Sequence, residues 1–131
     1  MTAGMKHHTP PSIRAPFARY SHAVEVPAGH RLVLCSGQLS ITLDDQIPET
    51  AEAQTELCFA NVSAILESAG MGLADIVRIN AYVTDRAHLP GYMKVRDRLF
   101  SDPPPASTLM IVSGFAREAF KVEIEVIAAA E

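Results

Sequence analysis

The stretch DIVRINAYVT, residues 75–84, decides the fold because its side chains alternate between two different surfaces. In an extended chain one side carries only apolar residues, from Val77 to Val83, as in a strand that lies on a hydrophobic core. The opposite side carries a mixed set: Ile76, Arg78, Asn80 and Tyr82. The stretch therefore predicts a β-strand with one fully apolar face, which needs a covering layer.

Two flanking segments are predicted to form helices that cover this face. Residues 49–70 have their acids early, which favours a helix N-terminus, and end at Gly70, a usual residue just past a helix. A second helix is expected after Asp85, which can cap it, and it stops at the three prolines 103–105. The first helix carries an apolar stripe at spacings of three and four: Phe59, Val62, Leu66 and Ala69.

Four further apolar stretches predict the remaining strands. Residues 21–26 and 31–36 indicate a β-hairpin or two adjacent strands, and residues 108–113 and 120–128 indicate two closing strands. The element order is then β-β-α-β-α-β-β. Two crossover helices on one face of a mixed sheet give an α+β sandwich of two layers.

The first 18 residues contain Pro10, Pro11 and Pro16 without any periodicity, which predicts an irregular N-terminal arm. A chain of 131 residues fits one domain, since each half alone would have a poor core. Residues 19–131 are therefore predicted to form a single domain.

Composition argues against several classes of partner and cofactor. A net charge of -4 provides no basic field for a phosphate backbone, so nucleic acid is not an expected partner. There is no apolar run of 18 residues and no hydrophobic leader, which favours a cytoplasmic protein without membrane association. Cys35 and Cys58 lack CxxC spacing and are predicted to be buried thiols. The five histidines lack zinc-site spacing, so no metal or other cofactor is expected.

The mixed face of the predicted sheet indicates contact between subunits. It is too apolar for open water and too charged for a core. A solvated face of an antiparallel sheet, with single apolar residues scattered over it, is the alternative. The face would combine the mixed set of residues 76–82 with three residues of the last strand: Glu123, Glu125 and Ile127.

Four segments, in order along the chain, resemble the pattern of the Rid family, which is also called YjgF or endoribonuclease L-PSP. The resemblance implies a chorismate-mutase-like fold assembled as a homotrimer, with a ligand cleft at each subunit boundary. Residues 64–70, 75–78 and 82–85 also resemble the family's helix end and the strand after it. The four segments are Arg19-Tyr20-Ser21-His22-Ala23, Leu34-Cys35-Ser36-Gly37-Gln38, Pro105-Ala106-Ser107-Thr108 and Val122-Glu123-Ile124-Glu125.

The resemblance also implies candidate site residues. Members of the best-known branch hydrolyse enamine and imine acids to a 2-keto acid and ammonia without a cofactor, and other branches bind small acids. By this resemblance Glu123 would hold or deprotonate the attacking water, Tyr20 would border the ligand, and Ser36-Gly37 would let the backbone approach it. The alternatives are structural: a solvated strand glutamate, a half-buried edge tyrosine and a tight turn.

The chain departs from the imine-hydrolysing branch at the residue that holds the substrate carboxylate. That branch has Pro-Ala-Arg followed by Ser or Thr, and the arginine binds the carboxylate through two charge-assisted bonds. Here Ser107 takes its place, or Thr108 if the alignment slides by one, and a hydroxyl provides one neutral bond. Met93 replaces an asparagine of the same branch. Arg19, where proline is commoner, is a candidate replacement cation, with a solvated side chain as the alternative.

Two functions remain open on the sequence. In the first, an enzyme hydrolyses an enamine or imine to a keto compound and ammonia, with Glu123 positioning water and groups near Ser107 and Ser36-Gly37 holding the substrate. In the second, a trimer binds or senses a small metabolite without turnover, which the missing arginine favours. Ribonuclease activity, sometimes ascribed to relatives, fits the acidic charge poorly.

Overall fold

The structure, a computed structural model, describes residues 4–131. It is a mixed α+β fold with two helices, as predicted. No helix within this range has both the length and the apolar character needed to cross a membrane. In chain order the elements are β1 (Lys6–His8), β2 (Ala23–Glu25), β3 (Arg31–Leu39), α1 (Ala51–Ser68), β4 (Ile76–Val83), α2 (Leu89–Leu99), β5 (Ala106–Ile111) and β6 (Val122–Ala130).

The main sheet has four strands in the order β3-β6-β4-β5, in which β4 and β5 are parallel and the other neighbours antiparallel. The parallel pair requires a crossover, which α2 provides. Both helices contribute to the hydrophobic core on one face of the sheet. The opposite face carries exposed apolar side chains on the edge strand β3, Leu32 and Leu34.

The apolar face of β4 forms the centre of the core. Ile79, Ala81 and Val83 have no exposed surface, and they pack in one cluster with Phe59 and Leu66 of α1. Burying one Val, Ile, Leu or Phe side chain contributes about 1.5–3 kcal/mol, so this cluster carries much of the stability of the fold. The predicted alternation of β4 is confirmed from Arg78 onward.

At the start of β4 a β-bulge changes the predicted faces. The register with β6 shifts between Ile76 and Arg78. Ile76 joins the core, whereas Val77 borders a cavity on the opposite side together with Arg78. The prediction that Val77 shares a face with Ile79 is therefore wrong, because a bulge inserts one residue into the alternation.

The predicted hairpin between residues 21–26 and 31–36 is not formed. β2 pairs with β1, in a register that places His7 opposite Val24, and β3 pairs with β6. The nine residues of β6 offer β3 a partner along its length, which the three residues of β2 do not. The chain turns away between β2 and β3 at Gly29, whose φ is 85°.

The N-terminal arm is not irregular throughout, so this prediction is wrong for Lys6–His8, which form β1. Side-chain hydrogen bonds hold the strand, from His7 Nδ1 to Ser21 Oγ and from His8 Nε2 to Glu25 Oε1, each 2.9 Å long. Such pairing depends on residues far along the chain and leaves no periodicity in so short a segment. Residues 1–3, the beginning of the predicted arm, lie outside the described residues.

Three smaller predictions concern the two cysteines, the start of α2 and the end of β3. Cys35 and Cys58 are buried free thiols, as predicted. Asp85 does not cap α2 itself, because its carboxylate accepts from Ala87 N at 2.8 Å and so caps the short 3-10 turn that precedes the helix. β3 does not end at Ser36 but continues through a bulge between Cys35 and Gln38.

Gln54, a fully buried polar residue of α1, fixes the chain where it enters β6. Its Nε2 donates to Pro48 O at 2.8 Å and to Ala119 O at 2.9 Å, and its Oε1 accepts from Lys121 N at 2.8 Å. These three bonds connect the start of α1 to the loop before β6. They therefore help to set the position of Glu123, two residues further on.

Replacing Gln54 by Leu removes all three bonds and puts an apolar side chain beside three backbone groups that are partly shielded from water. Each lost hydrogen bond costs about 0.5–1.5 kcal/mol, so we expect Gln54→Leu to lower the free energy of unfolding by several times the cost of an ordinary surface change. Urea denaturation measures the loss. Gln46→Leu, the same substitution at an exposed position, is the control, and equal effects of the two variants would contradict the role of Gln54.

Candidate ligand site

Glu123 lies on the open face of β6 and packs directly against the backbone of Gly37. A Cβ placed on Gly37 would lie 2.8 Å from both Cδ and Oε1 of Glu123, closer than real contacts allow. Gly37 does not adopt a left-handed φ. Position 37 therefore needs glycine because the Glu123 carboxylate occupies the space of a side chain. A positive φ, the other property that glycine permits, is not the reason.

The two glutamates of the Glu123-Ile124-Glu125 segment differ in their surroundings. Glu125 Oε1 accepts hydrogen bonds from Tyr82 Oη at 2.7 Å and from Asn80 Nδ2 at 3.2 Å. The bond to Glu125, with partial burial and the charges of both glutamates, raises the pKa of Tyr82, so its hydroxyl stays a donor at neutral pH. No side-chain hydrogen bond engages the Glu123 carboxylate within residues 4–131, which leaves it available to a ligand or water.

A second group of predicted residues lines a cavity of about 400 Å³ between α2, β5 and the segment before β2. We call it the α2–β5 cavity. The parallel register places Ser107 beside Ile79, on the helix side of the sheet, and Thr108 beside Asn80, on the open side. Thr108 Oγ1 accepts from Arg78 at 2.7 Å. The lining residues are Phe17, Ala18, Tyr20, Met93, Arg96, Ser107, Thr108 and Leu109.

Arg19 does not line the α2–β5 cavity. Its Nε donates to Phe100 O at 2.9 Å, and its Nη2 lies 3.6 Å from Asp102 Oδ1. These contacts hold the side chain against the connection between α2 and β5. Of the two alternatives for Arg19, the candidate replacement cation in the ligand site is therefore corrected, because its side chain binds Phe100 O at the end of α2 and lies near Asp102.

The cation that lines the cavity is Arg96, which the sequence analysis did not single out. Its side chain is only 4% exposed, its Nε and Nη2 donate to Asp97 Oδ1 at 3.2 and 3.0 Å, and its Cζ lies 5.6 Å from the centroid of the Tyr92 ring. The spacing of residues in α2 could have indicated this position. Arg96 follows Tyr92 by four residues and Met93 by three, so it lies on the same face of the helix as both.

The predicted site residues form two groups that one chain does not bring together. Ser36, Gly37 and Glu123 lie at the β3–β6 side of the sheet, while Tyr20 and Ser107 lie at its β5 edge. Because β4 separates β6 from β5, Glu123 and Ser107 are about two strand spacings, roughly 10 Å, apart across the sheet. They also differ by three residues along the strands, since Glu123 is opposite Tyr82 and Ser107 is opposite Ile79.

Metal ligands do not gather in this part of the molecule. Across residues 4–131, no three His, Cys, Asp or Glu side chains come close enough together to hold a metal ion. The thiol next to the β3–β6 group is not an activated nucleophile either, because burial, with a smaller effect from the Glu123 charge, raises the pKa of Cys58 to about 12. The chemistry available is that of a carboxylate, hydroxyls and a guanidinium.

Comparison with known proteins identifies relatives over nearly the whole chain. The family described as endoribonuclease L-PSP matches residues 12–130. The 2-iminobutanoate/2-iminopropanoate deaminase of Dermatophagoides farinae is 28% identical over 118 residues, which are 88% of this chain and 89% of that protein. Among solved structures, one similar fold is that of YyfB from Yersinia pestis, a protein of unknown function of the Rid family. Its TM-score is 0.84 at 25% identity, and the match covers 96% of this chain and 98% of the YyfB chain. RidA from an Antarctic Psychrobacter species has a TM-score of 0.72 at 33% identity, with 88% and 92% covered.

The buried Tyr92 beneath Arg96 predicts a loss of stability at alkaline pH. Burial raises the pKa of Tyr92 to about 12, although the nearby Arg96 and Ser107 side chains act in the opposite direction. The folded pKa lies above the unfolded value near 10, so this stability is complete below about pH 10 and is lost as the pH rises toward 12. The loss should reach on the order of 2–3 kcal/mol.

Tyr92→Phe is expected to remove this part of the alkaline loss. Ser107 and Arg96 lie close to the Tyr92 hydroxyl, but neither makes a well-aligned hydrogen bond with it. The substitution should therefore cost little stability at neutral pH. Urea denaturation of both proteins over the alkaline range measures the difference, and parallel curves would contradict this assignment.

Proposed function

The chain belongs to the endoribonuclease L-PSP family, also called Rid, and from this premise we propose that it is a homotrimer that hydrolyses small imines or enamines to a keto compound and ammonia. The reaction takes place in a cleft at each subunit boundary. The observation that carries the proposal is the Glu123 carboxylate, which lies against the Gly37 backbone while its neighbour Glu125 is engaged by Tyr82 and Asn80. One carboxylate is structural and the other remains free for chemistry.

The separation of the two residue groups supports a trimer. The β3–β6 group of one chain needs the α2–β5 cavity of another chain to complete a cleft. Exposed apolar side chains on both sides of the open face favour such contact, because Leu34 is 74% exposed on β3 and Met110 is 52% exposed on β5. Both strands lie at the edges of the sheet, where unpaired backbone groups can meet a neighbour.

The proposed reaction requires one carboxylate and no redox partner. An enamine first becomes its imine tautomer by moving a proton from nitrogen to carbon. Glu123 accepts a proton from water while the water oxygen attacks the imine carbon, and it then gives this proton to the nitrogen to form a carbinolamine. The hydroxyl proton of the carbinolamine passes to the nitrogen as the carbon–nitrogen bond breaks, so that a carbonyl forms, ammonia leaves and the Glu123 carboxylate is regenerated. The balance is imine plus water to keto compound plus ammonia.

The relative from Dermatophagoides farinae, named a 2-iminobutanoate/2-iminopropanoate deaminase, supports this reaction class for the present chain. The second candidate function is binding or sensing of a small metabolite without turnover. Ser107 and Met93 favour it, because neither supplies the polar contacts of the imine-hydrolysing branch. An experiment can separate the two functions, because hydrolysis accelerates the loss of the imine and binding without turnover does not.

Glu123→Gln is expected to reduce the accelerated release of ammonia by about a hundredfold or more, since general-base catalysis contributes about 10²–10⁴ in rate. An amino-acid oxidase generates imines from several amino acids, and ammonia release is followed with each variant. Glu125→Gln is the matched control two residues away, because an amide oxygen still accepts from Tyr82 and Asn80.

One result of this assay would contradict hydrolysis, and another would contradict the choice of Glu123 as the carboxylate that acts. If wild type and Glu123→Gln both match buffer on every imine, the hydrolase proposal is lost and ligand binding takes its place. A Ser107→Arg variant that then gains activity would show that the missing arginine is the reason. If Glu125→Gln loses as much activity as Glu123→Gln, the assignment of the free carboxylate is wrong.

Assembly is tested separately by light scattering on the purified chain. We expect a mass three times the 14.1 kDa of one chain. Leu34→Lys, at an exposed position, should leave the chain folded but lower the mass, because a charge would be buried between subunits. A stable wild-type monomer at micromolar concentration would remove the proposed cleft.

A further inference from the structure

We propose that Arg96 is the anion-binding residue of the α2–β5 cavity, and that the ligand is a small carboxylate with an apolar side chain. The inference rests on the proposed ligand cleft and names the chemistry of its occupant. Arg96 lies in α2, whereas the resemblance would place an arginine in β5, at Ser107. The cavity wall therefore has a cation, but on the helix and not on the strand.

The burial of Arg96 is the first observation. Arginine is rarely buried so completely unless it is paired, and among residues 4–131 the one carboxylate that pairs with Arg96 is Asp97, whose side chain is 49% exposed. Water screens an exposed carboxylate, so Asp97 offsets the buried charge only in part. An anion inside the cavity would complete the compensation.

The unused donors of Arg96 are the second observation. A guanidinium has five N–H donors in a planar fork, and the bonds to Asp97 use one on Nε and one on Nη2. Within residues 4–131 the Arg96 side chain forms no further well-aligned hydrogen bond, although the Tyr92 hydroxyl lies close to it. The remaining N–H groups suit the two parallel bonds that a carboxylate accepts. The Arg96 Cζ lies within cation–π distance of the Tyr92 ring, which favours the charged guanidinium at this position.

The lining of the cavity selects the class of anion. In the part of the chain that the structure describes, Arg96 is the one charged residue that lines this cavity, so one negative charge is matched there. Ser107 and Tyr20 add hydroxyls, whereas Phe17, Met93 and Leu109 form apolar walls. A ligand with a single carboxylate and a short apolar side chain fits this combination better than a phosphate or a dicarboxylate would.

Ser107 is consistent with this placement of the charge. Ser107 and Arg96 line the same cavity and lie close to the same Tyr92 hydroxyl. Ser107 itself carries no charge, so the guanidinium of Arg96 is the cation on this part of the cavity wall. The small serine leaves room for the ligand and one hydroxyl to bind it.

Calorimetric titration of the full protein with 2-oxobutanoate, and with the uncharged amide of the same acid, tests the proposal. Arg96→Met is expected to weaken binding of the acid by about tenfold or more, since bonds to a charged group contribute about 1.5–3 kcal/mol and 1.4 kcal/mol is tenfold. Arg98→Met is the matched control, because Arg98 is exposed on the same helix and pairs with Glu56. Equal weakening by both variants, or equal binding of acid and amide, would overturn the proposal.

A second variant keeps the test independent of the folding of Arg96→Met. Asp97→Asn changes a half-exposed residue and retains an oxygen for Arg96, but it removes the competing negative charge. We expect the affinity for 2-oxobutanoate to rise severalfold, and unchanged or weaker binding would contradict an anion site at Arg96.

Because binding is measured without turnover, an inactive protein that still binds the acid through Arg96 refutes only the hydrolase. Glu123-dependent hydrolysis with an unchanged KM in Arg96→Met refutes only the anion site.

Discussion

The burial of the apolar face of β4 under both helices is the constraint on which the rest of the structure depends. β4 is hydrogen-bonded on both sides, to β6 and to β5, and its three core residues Ile79, Ala81 and Val83 are wholly enclosed. Once this face is buried, pairing and alternation require the opposite face to present Asn80 and Tyr82 beside Glu125. The hydrophobic core and the polar side chains of the open face therefore lie on opposite sides of the same strand.

Departures from ideal strand geometry then shape that surface. The bulge in β3 lies at Gly37, where the missing side chain admits the Glu123 carboxylate. The bulge in β4 turns Val77 away from the core toward the open face. Bulges redirect side chains without breaking a sheet, which is why they occur near functional sites. In this chain the bulge of β3 contributes to the difference between Glu123, which lies against Gly37, and Glu125, which accepts from Asn80 and Tyr82.

Electrostatics connects the helix layer to the same proposed cleft. A charged side chain is costly to bury without compensation, and within residues 4–131 the half-exposed Asp97 is the one carboxylate paired with Arg96. Under the proposal made for Arg96, the charge that faces the ligand lies on a helix, and Ser107 occupies the strand position where the resemblance would place an arginine. Both elements border one cavity, so such a move would not change the fold.

Local periodicity determined the two helices and most of the alternation of β4 from the sequence alone, because these features depend on neighbours within a few residues, where spacing is directly visible. The family was indicated by the resemblance of several ordered motifs, and the buried thiols by the lack of CxxC spacing. Strand pairing was beyond that range, so the partner of β2, the strand at Lys6–His8 and both bulges came only from the tertiary structure. The different surroundings of Glu123 and Glu125, and the position of Arg96 in a cavity wall, likewise depend on contacts between residues distant in the chain. Packing and register decide those contacts, and no local pattern records them.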